Sequence, residues 1–188
     1  MASFFRERGE RLALHIVGDG DTECAFINGL KRVIREMGIL PKDLEVTIKP
    51  LKTGGGNPEN ALDLSLRKYF SGVAPHRRIL LIDSEGEKID ATVYRRAEHH
   101  RVEMKISDPC FENHLLAAYG IPCKEGLAPS QYKRILSDYF GKDFHPLDPD
   151  WHAKKITALG LEPLITRDDL TLFLHSTLTS TNHPFYTE

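Results

Sequence analysis

The first half of the chain alternates short apolar runs with longer segments in which apolar side chains recur at helical spacing. The apolar runs indicate strands, which we predict at residues 12–17, 44–48, 78–83 and 102–107. The periodic segments indicate helices, which we predict at residues 22–37, 58–70, 88–100 and 110–119. This alternation is typical of an α/β fold, so we expect a parallel sheet of about four strands flanked by helices.

The pattern changes after Pro122 to short helices separated by proline-rich breaks. We therefore predict an α/β core over residues 10–122 and a small helical C-terminal extension over residues 123–188, packed on the core. Charged residues near the N-terminus interrupt the apolar stretch that a signal peptide needs, and no apolar run is long enough to span a membrane. We expect a cytoplasmic protein with no membrane partner.

Composition does not by itself indicate a nucleic-acid-binding protein, because the formal net charge is -2. A non-specific phosphate binder is usually basic overall or along one face. Local basic patches exist, at residues 31–35, 76–78 and 95–101, but solvated surface explains each of them as well. The three cysteines lack the paired spacing of a zinc site, so we interpret them as packing residues.

Acidic residues follow the first and third predicted strands at the point where each strand ends. They are Asp19, Asp21, Glu23, Asp83, Glu85 and Glu87. Functional groups of open parallel sheets collect beyond the carboxyl ends of the strands. If the two strands are neighbours, carboxylates from both turns converge at one edge of the sheet.

Such convergence is costly unless a counterion is present. Two like unit charges about 4 Å apart repel by roughly 4 kcal/mol at an effective dielectric near 20. A divalent cation removes this cost, and a set of oxygen ligands suits Mg²⁺ or Mn²⁺. A magnesium ion held in this way neutralises phosphate and activates water, so phosphoryl transfer is the chemistry that we expect.

Each acid also has an ordinary structural explanation. Asp21 or Glu23 could cap the first helix or complement its dipole. Asp83 could cap a helix or lie in a turn, although it directly follows the apolar run of residues 79–82. Glu85 alone would be a turn charge, and only its short spacing from Asp83 makes it a candidate.

Four segments, in order along the chain, resemble the topoisomerase-primase (TOPRIM) domain and, within it, the RloB-like proteins. Residues 17–23, VGDGDTE, are similar to that family's strand followed by Glu-Gly-x-Thr-Glu, and residues 53–58, TGGGNP, to its Gly-Gly-Gly-x-Pro turn. Residues 81–87, LIDSEGE, take the place of the family's Asp-x-Asp element. Residues 107–116, SDPCFENHLL, resemble the Ser-Asn-Pro-x-Phe-Glu-x-Trp-Leu-Leu helix start.

The resemblance implies a TOPRIM-like, Rossmann-like sheet and a magnesium-dependent site that cleaves or transfers nucleic-acid strands. By this resemblance the metal ligands are Asp19, Asp83, Glu85 and Glu87. The catalytic residues are Asp19, Glu23, Asp83 and Glu85. The supporting residues are Asp21 and Glu112, although the helix dipole explains Glu112 about as well. Phosphate contacts are predicted at Lys52, Gly54, Gly55 and Gly56, where a flexible connection is the other explanation.

Four positions depart from the family pattern: Asp108 replaces the usual Asn, His114 stands near the usual Trp, and the other two are acids of the site. Asp19 stands where the family has Glu, and Glu85 stands where it has the second Asp. The paired exchange either preserves the span between acid and metal or marks a site that has lost its chemistry.

We predict a Mg²⁺-dependent nuclease that cleaves phosphodiester bonds in DNA or RNA, in bacterial anti-phage defence. Its expected partners are nucleic acid and an ATPase or another defence-system subunit. The alternative is a catalytically degenerate TOPRIM-fold module that binds a partner or regulates one. A phosphatase or nucleotide hydrolase that uses the same acids also stays open.

Overall fold

Four parallel strands form the centre of the protein in a computed structural model that describes residues 12–51, 57–70, 76–86 and 88–180. The strands are β1 (Leu12–Gly18), β2 (Leu44–Pro50), β3 (Arg77–Asp83) and β4 (Val102–Ser107). They form one sheet in the order β2-β1-β3-β4, and every neighbouring pair is parallel. The predicted α/β fold with a parallel sheet is confirmed. Because β1 and β3 are neighbours, the turns that follow them lie side by side.

The described helices alternate with the strands and then continue as a helical segment. They are α1 (Asp21–Glu36), α2 (Pro58–Lys68), α3 (Ala91–His99), α4 (Phe111–Ala118), α5 (Pro129–Phe140), α6 (Pro149–Leu159), α7 (Leu161–Arg167) and α8 (Asp169–Thr179). The prediction started α3 too early, at residue 88. The helix begins after Asp90 because that side chain accepts a hydrogen bond from the backbone N–H of Thr92 and so caps it.

Alternation along the strands sends apolar side chains to both faces of the sheet. On one face, Ile16 and Leu81 pack with buried side chains of α1 and α4 and of the later helices. On the other face, Leu80 and Ile82 pack with side chains of α2 and α3. Full burial of one such side chain contributes about 1.5–3 kcal/mol. The two apolar layers fix α1 and α4 relative to the ends of β1 and β3.

Helix α6 packs closely along α1. A Cβ atom added to Gly29 on α1 would lie 2.7 Å from the Cβ atom of His152 on α6, so glycine permits this approach. His152 is fully buried, and its Nδ1 lies 2.6 Å from the hydroxyl oxygen of Tyr119. Its Nε2 lies 2.8 Å from the carbonyl oxygen of Pro146. Since a carbonyl only accepts, Nε2–H donates to Pro146 and the tyrosine hydroxyl donates to Nδ1.

Helix α4 is also tied to α8. Asp168 caps α8 by accepting hydrogen bonds from the backbone N–H and the hydroxyl of Thr171, at 2.7 and 2.6 Å. Its other carboxylate oxygen lies 2.6 Å from Nδ1 of His114 on α4. The later helices therefore hold α4 in place across the end of the sheet. Within the described ranges, no helix is long and apolar enough to cross a membrane.

Candidate active site

Asp83 ends β3 and lies at the carboxyl edge of the sheet, paired in register with Ser107 of β4. Burial raises the pKa of Asp83 to about 8, and the charges of Glu23, Glu112 and Asp19 act in the same direction. A hydrogen bond from the backbone of Phe111 acts in the opposite direction. The Oδ1 atom of Asp83 is buried and makes no hydrogen bond within the described part of the chain. A sequence position that ends an apolar strand thus becomes a half-buried acid with one buried carboxyl oxygen.

Glu23 occupies the first turn of α1, directly after the turn that follows β1, and it is only 6% exposed. Burial raises the pKa of Glu23 to about 7, with further contributions from the charges of Glu112 and Asp19. Its Oε2 atom is buried and makes no hydrogen bond to any described residue. A Cβ atom at Gly20 would lie 2.7 Å from this oxygen, so the absence of a side chain at Gly20 leaves room for the carboxyl group.

Glu112 joins the same group from the first turn of α4, where it is 9% exposed. Its Oε1 atom lies 3.7 Å from Nζ of Lys133, a largely exposed side chain on α5. Glu112 also contacts the buried thiol of Cys110, and burial raises the pKa of that thiol to about 12. The structure thus places Glu112 near Glu23 and Asp83, since its charge acts to raise the pKa of both.

Asp19 completes the group from the turn between β1 and α1, where it is half-buried. Its charge contributes to the raised pKa of both Glu23 and Asp83. We call these four residues, Asp19, Glu23, Asp83 and Glu112, the acidic group. They come from three separate segments of the chain, which the parallel pairing of β1 with β3 and of β3 with β4 brings together.

The other predicted site residues have different positions. Glu85 lies in the exposed turn after β3 with a φ of 51°, and its backbone N–H donates to the carbonyl of Pro109 at 2.9 Å. The charges that raise the pKa of Asp83 come from Glu23, Glu112 and Asp19. Asp21 is exposed on the first turn of α1. Glu87, Lys52, Gly54, Gly55 and Gly56 lie outside the described residues.

A metal ion would find hard oxygen donors in the acidic group. Across residues 12–51, 57–70, 76–86 and 88–180, no three His, Cys, Asp or Glu side chains are placed so that together they could hold a metal ion. Two buried carboxyl oxygens without partners, on Glu23 and Asp83, nevertheless match Mg²⁺, which accepts one or two protein carboxylates and keeps several waters. The donor atoms present therefore fit Mg²⁺ or Mn²⁺ rather than a metal ion whose ligands must all come from protein side chains.

The sequence did not point to Lys133. It lies in the helical segment after the core, and its neighbours in the chain form an ordinary amphipathic helix. Only the packing of α5 beside α4 brings its ammonium group to Glu112. In contrast, the sequence did point to Glu112, because it lies in the first turn of a predicted helix, three residues after Pro109, within the segment 107–116 that carries the family resemblance.

Comparison of this chain with protein-family models, with curated proteins and with solved structures finds no match.

Proposed function

We propose that this protein is a divalent-metal-dependent nuclease, which hydrolyses phosphodiester bonds at the acidic group. The observation that carries the proposal is the pair of buried carboxyl oxygens, Glu23 Oε2 and Asp83 Oδ1, that make no hydrogen bond within the described residues. A buried polar atom without a partner is costly and calls for an explanation such as an ion or a functional role. A cation between the two carboxyl groups supplies that explanation.

The raised pKa values of Glu23 and Asp83 support the same proposal. Perturbed acids gathered beyond the carboxyl ends of parallel strands are characteristic of functional sites. Without a cation these groups hold protons near neutral pH, because burial and mutual repulsion disfavour their charged forms. When bound, Mg²⁺ or Mn²⁺ would neutralise a phosphate and lower the pKa of a water molecule.

We assign roles to the chain's own side chains as follows. Asp83 and Glu23 hold the cation through the buried oxygens that have no hydrogen-bond partner among the described residues. Asp19, at the half-buried turn, moves a proton to or from the reacting oxygens or serves as a further ligand. Lys133 contacts the substrate phosphate, since its ammonium group is largely exposed and lies beside the acidic group.

The resemblance of four sequence segments to RloB-like TOPRIM proteins supports nucleic acid as the substrate. On that resemblance we extend the proposal to anti-phage defence in the bacterial cytoplasm, with an ATPase or another defence-system subunit as partner. Glu85 and Glu87 remain proposed metal ligands on the same basis.

Cleavage assays test the proposal directly. The purified protein is incubated with labelled single- and double-stranded DNA, RNA and tRNA in Mg²⁺, in Mn²⁺ and in EDTA. We expect at least one substrate to be cut in Mg²⁺ or Mn²⁺, no cutting in EDTA and none by Asp83→Asn. Persistent cutting by Asp83→Asn, or no cutting of any substrate with either metal, would refute the proposal.

A second candidate function is a non-catalytic module that keeps the fold and binds nucleic acid or a protein. It is favoured by the exposed position of Glu85 and by the absence, among the described residues, of three ligand side chains grouped for a metal. Such a module would bind an oligonucleotide equally well in Mg²⁺ and in EDTA and would cut none. The nuclease should instead bind its substrate more tightly with Ca²⁺, a non-reactive substitute, than with EDTA.

A further inference from the structure

A groove of about 580 Å³ lies at the carboxyl edge of the sheet, where Gly86 in the turn after β3 and Asp108 after β4 line it. Asp108 directly follows Ser107, the register partner of Asp83. Asn113 on α4 contributes to the wall, and the described lining includes none of the four side chains of the acidic group. A molecule whose phosphate lies at Asp83 can therefore place its neighbouring group in the groove.

The polar groups of the groove are hydrogen-bond acceptors rather than cations. Asp108 and Glu125 contribute two carboxylates, and the described residues that line the groove include no lysine or arginine. The amide nitrogen of Asn113 donates to the carbonyl oxygen of Asp108 at 3.1 Å, so the amide oxygen of Asn113 is left as a further acceptor. A phosphate group would be repelled here, whereas a neutral group that carries N–H donors would be attracted.

One of the two carboxylates is held in position by the chain around it. The hydroxyl of Ser84, in the turn after β3, donates to Oδ1 of Asp108 at 2.6 Å and leaves the second oxygen of that carboxylate available. The backbone N–H of Leu127 donates to the hydroxyl oxygen of the buried Tyr132 at 3.3 Å, which ties to α5 the loop that carries the exposed Glu125. The fold thus orients the carboxylate of Asp108 and positions the backbone next to Glu125.

The apolar part of the groove suits a flat ring. Pro109 and Leu127, both half-buried, supply apolar surface between the acceptors. The volume falls in the range of small-molecule sites, which combine apolar walls with a few placed polar groups. An aromatic base can pack its ring on the apolar surface while the amino groups at its edge donate hydrogen bonds to the acceptors.

We propose that this groove binds the nucleobase next to the phosphate that is cut, and that it selects unpaired bases with an exocyclic amino group. Carboxylates accept from the amino group of cytosine, and the amino group of adenine or guanine offers the same donor. In a duplex this edge is occupied by pairing, so the base must come from a single strand, a loop or an extruded nucleotide. The proposal rests on the proposed nuclease function, because it takes the adjoining phosphate to lie at the acidic group.

The neutral nucleosides cytidine and uridine test the proposal without a phosphate group that the acidic residues would repel. Their bases differ in the amino or carbonyl group at one ring position and in the protonation of the adjacent ring nitrogen. Each nucleoside is titrated in EDTA into the ¹⁵N-labelled full chain, and the backbone amide shifts are followed by NMR. We expect cytidine to shift the amides of Gly86, Asn113 and Gly126 and to bind about tenfold more tightly than uridine. Glu125→Gln should remove most of this preference, and Glu98→Gln, an exposed change on α3, should leave it intact.

Equal affinity for cytidine and uridine, shifts confined to residues away from the groove, or no shifts at millimolar nucleoside would each overturn the proposal. Asp108→Asn provides a second variant that retains the acceptor for Ser84, and it too should reduce the preference for cytidine. Because the titration is done without metal and without cleavage, its result is independent of the nuclease assay. Cleavage without cytidine binding in the groove overturns this inference alone, and cytidine binding without cleavage overturns only the nuclease function.

Discussion

Glu23 comes after β1 and Asp83 is the last residue of β3, and the negative charge of Glu23 helps to raise the pKa of Asp83. Burial is the larger cause of the raised pKa of each residue, and Asp19 and Glu112 add to it. Two changes can relieve this repulsion, namely binding of protons or binding of a cation. Protons and a divalent cation should therefore compete for the carboxyl groups of the acidic group.

Metal-free protein should lose stability as the pH rises through neutrality. Glu23 and Asp83 have ordinary pKa values of 4.5 and 3.8, and in the folded protein these rise to about 7 and about 8. A raised acid pKa contributes stability that is fully present below the ordinary value and is lost as the pH rises through the folded value. Urea unfolding in EDTA from pH 4.5 to 8.5 measures this, with the double variant Glu23→Gln/Asp83→Asn as reference. An identical pH profile in the variant would show that these acids are not the cause.

Replacing Gly20 with Ala should weaken divalent metal binding while the fold is retained. The added Cβ atom would lie 2.7 Å from Oε2 of Glu23, and the flexible end of that side chain has to move away. We expect the affinity for Mn²⁺ to fall about tenfold, because mutations of groups that position metal ligands typically weaken metal binding by about this factor. Fluorescence-monitored titration with Mn²⁺ checks this, and Thr157→Ala, an exposed and uncharged change on α6, is the control. Equal affinity in Gly20→Ala and wild type would contradict the role of Glu23 Oε2.

Lys133→Gln should affect substrate binding far more than stability. The ion pair with Glu112 is largely exposed on the lysine side, so its removal should cost less than about 1 kcal/mol. Without the ammonium group beside the substrate phosphate, KM should rise and the salt dependence of oligonucleotide binding should become shallower. Fluorescence anisotropy at several salt concentrations measures the slope, and Lys154→Gln serves as a matched control on α6. An unchanged slope in Lys133→Gln would exclude this role for the lysine.

Tyr119→Phe should destabilise the protein by about 1–3 kcal/mol, because Nδ1 of the buried His152 would lose its hydrogen-bond donor. Burial also lowers the pKa of His152 to about 4, so the ring is held neutral and depends on this partner. Chemical denaturation at pH 7 gives the free energy of unfolding. Tyr139→Phe, at a side chain 64% exposed, should change it by less than about 0.5 kcal/mol. A similarly small effect of Tyr119→Phe would mean that the hydrogen bond adds nothing to stability.

Hydrophobic periodicity predicted the sheet and the main helices because it is a local property of the sequence. The short apolar run before Asp83 indicated a buried strand, and the apolar residues within 12–17 indicated another. The start of α3 was misjudged because its boundary depends on one capping contact, from Asp90, that periodicity does not register. Element type was therefore easier to predict than element ends.

The acidic group was partly predictable for the same reason. The sequence placed Asp83 and the turn after β1 at strand ends, and the two meet at one edge because the structure makes β1 and β3 parallel neighbours. The direction of a side chain in a turn is not set by spacing, and Glu85, two residues after Asp83, lies exposed. The positions of Glu112 and Lys133 depend on how α4 and α5 pack across the end of the sheet, which involves contacts between distant segments.

The most direct test of a metal-binding acidic group is calorimetric titration of the full chain with Mg²⁺ at pH 7 in two buffers of different ionisation enthalpy. If the cation binds Glu23 and Asp83, it must displace the protons that their raised pKa values retain, about one proton per ion. We predict a binding heat that differs between the two buffers in wild type and in Glu98→Gln, an exposed change on α3, and that disappears in Asp83→Asn. No binding heat in wild type, or the same heat in Asp83→Asn, would contradict the account.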